Sequence, residues 1–239
     1  MIQKNFDRAS HSYEKVAFIQ RQVAESLVNI LKKFDVQNIN TILDLGTGTG
    51  YIPELLLSNH CNANYSLNDI SSCMLNICRK KFLHYSSQFE YINYDMETLN
   101  FQNYDLIISN LAMQWAKDIY SLIQKCCENS KIFIFSTLLN GTFQEWQEII
   151  YEYENTNILK EYPTANFLVL QCNFSHYEVQ EFKITFDSPL QFLYYLQQLG
   201  VMYSEKSLQL KTLKKLIRIE KPLSVTYKVF LGIRFNNNI

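Results

Sequence analysis

The chain has 239 residues, 47 % apolar and 19 % charged, with six glycines and four prolines. That balance excludes collagen-like, low-complexity and coiled-coil architectures and fits one large domain. A formal net charge of −1 supplies no general positive field for nucleic acid. The six cysteines (Cys61, Cys73, Cys78, Cys126, Cys127, Cys172) form no CxxC pair, and the four histidines are too scattered for a zinc site. Reduced, mostly buried thiols and no metal are therefore expected. No apolar run approaches the ~20 residues that span a bilayer. The opening MIQKNFDRAS lacks the apolar stretch of a secretory signal. The expectation is a soluble, cytoplasmic protein with neither a membrane nor a nucleic-acid partner.

From Phe6 to Phe34 apolar residues recur at helical spacing without Pro or Gly, which predicts one or two helices ahead of the main sheet. Thr41–Leu45 is a short β-branched run ended by Gly46, a buried strand, with helical patterning from Gly50 to about Leu57. Asn64–Asp69 is a second, weaker strand, and Ser71 is placed to cap a helix carrying Met74, Leu75, Ile77, Cys78 and Phe82. Strands follow at Phe89–Ile92, Tyr104–Ser109 and Lys131–Ser136, with a helix at Ile119–Cys127 before the last of these. Strands alternating with helices imply right-handed βαβ units and a doubly wound, mostly parallel, Rossmann-like sheet.

The final third reads differently. Helical segments at Gln144–Tyr153 and Leu190–Leu199 flank an alternating strand, Tyr177–Phe186, and a last strand runs from Pro222 to Ile233. With no helical crossover of the earlier kind between them, these two strands are expected to finish a seven-stranded sheet as an antiparallel edge pair. No repeat or Pro/Gly/Ser linker divides the chain. One domain over residues 1–239 is expected, with a helical lid (1–35), a cofactor-binding core (40–137) and substrate-side helices with the last strands (138–239).

The informative segment is Asp44-Leu45-Gly46-Thr47-Gly48-Thr49-Gly50. Glycines at the end of the first strand allow a sharp turn and close ligand approach, at the crossover where nucleotide-like ligands bind such sheets. A dinucleotide fingerprint needs G-x-G-x-x-G, which requires glycine where this chain has Tyr51. Asp44, two residues ahead of Gly46, repels a pyrophosphate but suits an ammonium and a sulfonium. Asp69 ends the second strand, placed to accept both hydroxyls of a ribose. Asp95-Met96 follows the third strand, placed to bond an adenine amino group and cover its face. Together these features read as S-adenosylmethionine binding, hence a class I methyltransferase fold. The expected cofactor contacts are Asp44, Gly46, Thr47, Gly48, Gly50, Asp69, Ile70, Asp95, Met96 and Asn110.

After the fourth strand stands Ser109-Asn110-Leu111-Ala112-Met113-Gln114-Trp115, without the Asn/Asp-Pro-Pro-aromatic tetrad of enzymes that methylate nucleobase amines. This segment resembles the S-N-L-A-x-Q-W signature of the malonyl-[acyl-carrier protein] O-methyltransferases of biotin synthesis. The opening Phe6-Asp7-Arg8-Ala9, Tyr13, Ala17 and Gln20-Arg21-Gln22 resembles that family's first motif. Phe135-Ser136-Thr137-Leu138-Leu139-Asn140-Gly141-Thr142 is similar to a third, and Leu199-Gly200-Val201 and Pro222–Tyr227 are looser matches, so the resemblance covers nearly the whole chain. It departs at Gln197-Gln198 and at Asn166, where relatives often carry basic residues.

The resemblance implies methyl transfer from S-adenosylmethionine to the free carboxylate of a malonyl thioester, on acyl carrier protein or coenzyme A. A carboxylate is already ionised at pH 7, so in-line attack on a sulfonium methyl needs no general base. Alignment and desolvation carry the catalysis, with Tyr13, Gln20 and Trp115 as candidate catalytic residues. Tyr13 and Gln20, seven residues apart, are expected on one face of a lid helix. The alternatives are a methyltransferase for another small acid, such as trans-aconitate, and a non-catalytic protein that kept the fold. Late in the chain, Lys206, Lys211, Lys214, Lys215, Arg218 and Lys221 stand against Glu220 alone, with Leu208, Leu210, Leu213, Leu216 and Ile217 among them. One face of that segment can pack while the other stays basic, a surface suited to an acidic carrier protein.

Overall fold

A computed structural model describes residues 2–34, 36, 38–59, 61–101, 103–201 and 209–236. Two helices, α1 (Ile2–Val16) and α2 (Phe18–Lys33), precede β1 (Thr41–Leu45), α3 (Tyr51–Ser58), β2 (Asn64–Asp69), α4 (Ser72–Lys81) and β3 (Phe89–Asn93). Then come β4 (Tyr104–Asn110), α5 (Ile119–Glu128), β5 (Ser130–Leu138), α6 (Gln144–Tyr151) and α7 (Ala165–Gln171). The chain ends with β6 (His176–Phe186), α8 (Pro189–Gln198), α9 (Leu210–Leu216) and β7 (Leu223–Phe235).

The seven strands form one sheet in the order β3-β2-β1-β4-β5-β7-β6. Strands β1 to β5 pair in parallel, and β7 runs antiparallel to both β5 and β6, so the two late strands close the sheet as an antiparallel pair. The order reverses between β1 and β4, which opens a crevice at their carboxyl ends. The parallel strands are apolar on both faces because both are covered. Ile42, Leu106, Ile108 and Ile134 pack with α2, while Leu43, Leu45, Ile107 and Phe133 pack with α5. β6 alternates half-buried and exposed residues along nearly its whole length, as an edge strand with one open face does.

Local chemistry explains the helix starts. The Ser71 hydroxyl accepts from Met74 N, Asp118 from Ser121 N, Thr164 from Phe167 N, and Ser188 from Gln191 N ahead of Pro189. The seven-residue α7 has a cap but too short a run for periodicity to announce it, and sequence patterning did not predict it. Lys206 and Leu208 of the basic stretch lie outside the described residues. No helix among those described is long and apolar enough to cross a membrane.

The N-terminal helices are unequal. α2 buries Ile19, Val23, Ala24, Leu27, Val28, Ile30 and Leu31, whereas α1 buries only Ala9 and Ser10. α2 is therefore part of the core, and only α1 lies over the crevice as a cover. Tyr13 and Gln20 consequently do not share one helix. The chain breaks at Ala17, whose ψ of 40° is not helical, leaving Tyr13 on the cover and Gln20 on the core helix.

Candidate active site

The glycine loop after β1 has three positive φ angles, 71° at Gly46, 56° at Gly48 and 81° at Gly50. A Cβ on Gly46 would stand 2.3 Å from Ala112 Cβ, and one on Gly50 2.7 Å from the Phe82 ring. Both backbone sign and space therefore demand glycine. The loop is tied to β2, since Gly46 N and Thr47 N both donate to Asn68 O at 2.9 Å. Asn68 itself is held by its side-chain amide, which donates to Ile92 O and Tyr94 O of β3 and its end.

Asp69 completes the loop. Its Oδ2 accepts from Gly48 N at 2.9 Å and its Oδ1 from Ser71 N at 2.8 Å. Asn93 Nδ2 donates to the carbonyls of Asp69 and Ile70. Burial pushes the Asp69 carboxyl up to about 6, against the lowering pull of those two backbone donors. Its two oxygens thus organise the turn first, and remaining lone pairs border the cavity.

Two adjacent cavities open here. The first, about 340 Å³, is lined by Asp44, Thr47, Thr49, Ala17 and Gln20, and toward its mouth by Glu14, Arg21, Tyr51, Glu54 and Lys81. The second, about 150 Å³, is lined by Asp69, Ile70, Met74, Asp95, Met96, Leu111 and Trp115, with Ile2 and Phe6 of α1 across from them. Tyr13, Gly46, Gly48 and Asn110 line both. They mark where the two spaces meet.

The first cavity holds unsatisfied acceptors. Asp44 is 1 % exposed, and its Oδ2, the Thr47 hydroxyl and Gln20 Oε1 have no hydrogen-bond partner. Burial lifts the Asp44 carboxyl to about 7; the nearby Thr47 hydroxyl opposes this in part without completing a bond, and the Asp69 charge adds to it. A buried carboxylate lacking a donor is costly and fits a cationic group, as the ammonium of an amino acid would be. At the mouth, Lys81 Nζ lies 3.0 Å from both Glu14 and Glu54, and the Arg21 guanidinium stands over the Tyr51 ring at 5.8 Å.

In the second cavity the carboxylates are already occupied. Asp95 Oδ1 accepts from Glu97 N at 3.0 Å. Trp115 meets Phe6 edge-on at 5.5 Å, and the Lys160 ammonium sits 5.3 Å from the indole while donating to Gln114 O. Asn110 joins three elements. Its Nδ2 donates to Gln20 O at 2.9 Å and its Oδ1 accepts from the Ser136 hydroxyl at 2.9 Å, while the same hydroxyl accepts from Leu111 N. Burial raises the Tyr13 phenol far above its ordinary range, and Asp69 adds to this. It stays a neutral donor.

Of the residues expected from the sequence, Asp44, Thr47 and Gln20 line the first cavity, and Asp69, Ile70, Asp95, Met96 and Trp115 the second. Tyr13, Gly46, Gly48 and Asn110 line both. Gly50 lines neither; it starts α3 in the left-handed conformation, packed against Phe82 and Cys78. Glu14, Arg21, Thr49, Tyr51, Glu54 and Lys81 were not anticipated, nor the bracing amides Asn68 and Asn93. Arg21 and Thr49 had a signal, the first in the Gln20-Arg21-Gln22 motif and the second within the glycine loop.

Residues 42–131 match the methyltransferase-domain family. The chain is 32 % identical to the malonyl-[acyl-carrier protein] O-methyltransferase of Neorickettsia risticii, over 91 % of this chain and 88 % of that one. It is 34 % identical to the Priestia megaterium protein of the same name, over 61 % of this chain and 54 % of the other. Among solved structures, the YcgJ protein of Bacillus subtilis superposes with a TM-score of 0.61 at 13 % identity, covering 89 % of this chain and 99 % of that one. Phosphoethanolamine N-methyltransferase 2 of Haemonchus contortus, in complex with S-adenosyl-L-methionine, gives 0.59 at 14 % identity over 96 % and 57 % of the two chains. These likenesses place the fold among methyltransferases.

Proposed function

Because the chain belongs to the malonyl-[acyl-carrier protein] O-methyltransferase family, we propose that it transfers a methyl group from S-adenosylmethionine to the free carboxylate of a malonyl group carried as a thioester on acyl carrier protein. The product is the methyl ester, whose masked carboxylate lets chain elongation proceed toward the pimeloyl unit of biotin. The observation that carries this reading is the pair of cavities meeting at Tyr13, Gly46, Gly48 and Asn110. Unpartnered Asp44 and Thr47 lie on one side, and Asp69, Asp95 and Met96 on the other.

When bound, S-adenosylmethionine supplies the electrophilic methyl. The residues present fit it. Asp44 and Thr47 suit its ammonium, Asp69 its ribose hydroxyls, and Asp95 with Met96 its adenine edge and face. The junction of the cavities then receives the sulfonium, with Tyr13, a neutral phenol, beside it. The larger cavity extends past Gln20 to Arg21, leaving room for an acid to approach from the α2 side. An ionised carboxylate needs no base, so the protein's work is to align it, exclude water and avoid competing charge. Burial of the junction beneath α1 serves that end, and Trp115 with Phe6 closes the far side. The reading is tested by incubating the protein with S-adenosylmethionine and malonyl-acyl carrier protein. A mass gain of one methyl on the carrier, absent with free trans-aconitate or malonate, is expected, together with rescue of a biotin auxotroph blocked at the methylation step. No methyl ester on the carrier overturns it.

A further inference from the structure

α9 and the turn after it expose Lys211, Lys214, Lys215, Arg218 and Lys221, with Glu220 the only carboxylate between residues 209 and 222. Their opposite side packs, with Thr212 1 % and Leu216 0 % exposed. Among the described residues none of the five cations meets a carboxylate at ion-pair distance; Lys215 instead stands over the Tyr153 ring at 5.7 Å. Two apolar side chains remain in the open beside them, Leu210 at 75 % and Ile217 at 40 % exposure. A protein of net charge −1 thus concentrates unpaired positive charge and exposed aliphatic surface in one place.

The position matters. β7 starts six residues after Ile217, and its register pairs Val229 with Leu138, the last residue of β5, and Leu223 with Phe186, the last of β6. The start of β7, and α9 ahead of it, therefore lie at the carboxyl end of the parallel strands, where both cavities open. Gln209 N also donates to Glu154, and Lys160 of the same connecting segment reaches Trp115. Tyr153 and Lys160 are seven positions apart, so the backbone span between the residue that Lys215 meets and the one that meets Trp115 is at most about 25 Å.

We propose that α9 and its following turn form the docking face for an acidic acyl carrier protein, delivering the thioester arm to the crevice. This rests on the proposed function and names where the partner binds. Positive charge facing an acidic domain speeds encounter and sets orientation, with a salt dependence that buried contacts lack. Leu210 and Ile217, exposed at the two ends of α9, supply the apolar contact.

The test is charge reversal at three exposed positions, Lys214→Glu, Lys215→Glu and Arg218→Glu together, with a second variant carrying Gln at all three. Binding of malonyl-acyl carrier protein is measured by fluorescence anisotropy from low to high salt, and turnover with malonyl-carrier protein and with malonyl-coenzyme A. Melting temperature and S-adenosylhomocysteine affinity report that the fold and cofactor site persist. The expected result is carrier affinity about tenfold weaker at low salt for the Glu variant, a smaller loss for the Gln variant, convergence at high salt, and coenzyme turnover unchanged. Wild-type binding that the variants retain, or equal loss with both substrates, overturns the docking face and leaves the function standing. Wild-type protein that neither binds nor methylates the carrier overturns the function itself.

Discussion

The two cavities face each other across Tyr13 and the glycine loop, yet they treat their carboxylates in opposite ways. In the second, Asp69 and Asp95 accept backbone N–H groups, so that wall is organised before any ligand arrives. In the first, Asp44 is buried with an unpartnered oxygen, and burial holds back its ionisation. The same residue type thus stands once as a fixed part of the scaffold and once as a buried acceptor left without a donor. The difference lies in which backbone donors the fold brings within reach.

Removing residues 1–16 breaks the comparison altogether. α1 contributes Ile2, Phe6 and Tyr13 to the second cavity and Tyr13 and Glu14 to the first, while burying only Ala9 and Ser10 of its own. The truncated protein is expected to keep the sheet by circular dichroism and to lose methyl transfer entirely. Residual activity near that of the full chain would dismiss the cover.

Asp69→Ala attacks the organised wall. It leaves Gly48 N and Ser71 N without acceptors, at a cost of about 1–3 kcal/mol each. Cofactor affinity measured by calorimetry is expected to fall on the order of a hundredfold, and the melting temperature to fall with it. Loss of affinity at unchanged stability would mean that Asp69 acts on the ligand alone.

Asp44→Asn is expected to part those two quantities. Burial raises this carboxyl from 3.8 to about 7, so the folded state binds its proton more tightly than the unfolded chain. Its contribution is present at pH 4 and lost as pH rises through 7. The ligand-free Asn variant should therefore match wild type near pH 4 and melt higher at pH 8, while binding S-adenosylmethionine about tenfold more weakly there. For wild type, affinity should climb as Asp44 ionises between about pH 6 and 8. In the variant only a slope near pH 6, from Asp69, should remain. Calorimetry and thermal melts across that range check both; a variant less stable at pH 8 refutes the orphaned charge.

Much of the candidate site's framework was readable because its determinants are local. Apolar runs ended by glycine announce β1 and its loop, and Asp44, Asp69 and Asp95 sit at strand ends that the pattern itself locates. The roles of Asn68 and Asn93 were not readable, because an amide at a strand end declares nothing until its neighbours are placed. Arg21, Lys81 and Tyr51 likewise come together only when α2, α3 and α4 pack around the loop. The single face expected for Tyr13 and Gln20 failed at Ala17, where one non-helical ψ turns an uninterrupted helical pattern into two helices.

The sequence by itself determined the alternating strands and helices and the glycine turn. Each depends on residue type at short spacing, where backbone sterics and hydrophobic period act directly. Only the tertiary structure decided which carboxylates were committed and which left open, that α2 is core while α1 is cover, and that α9 with its cations leads into β7 at the carboxyl end of the parallel strands. Those properties depend on burial and on donors from distant strands, and neither exists before the sheet has closed.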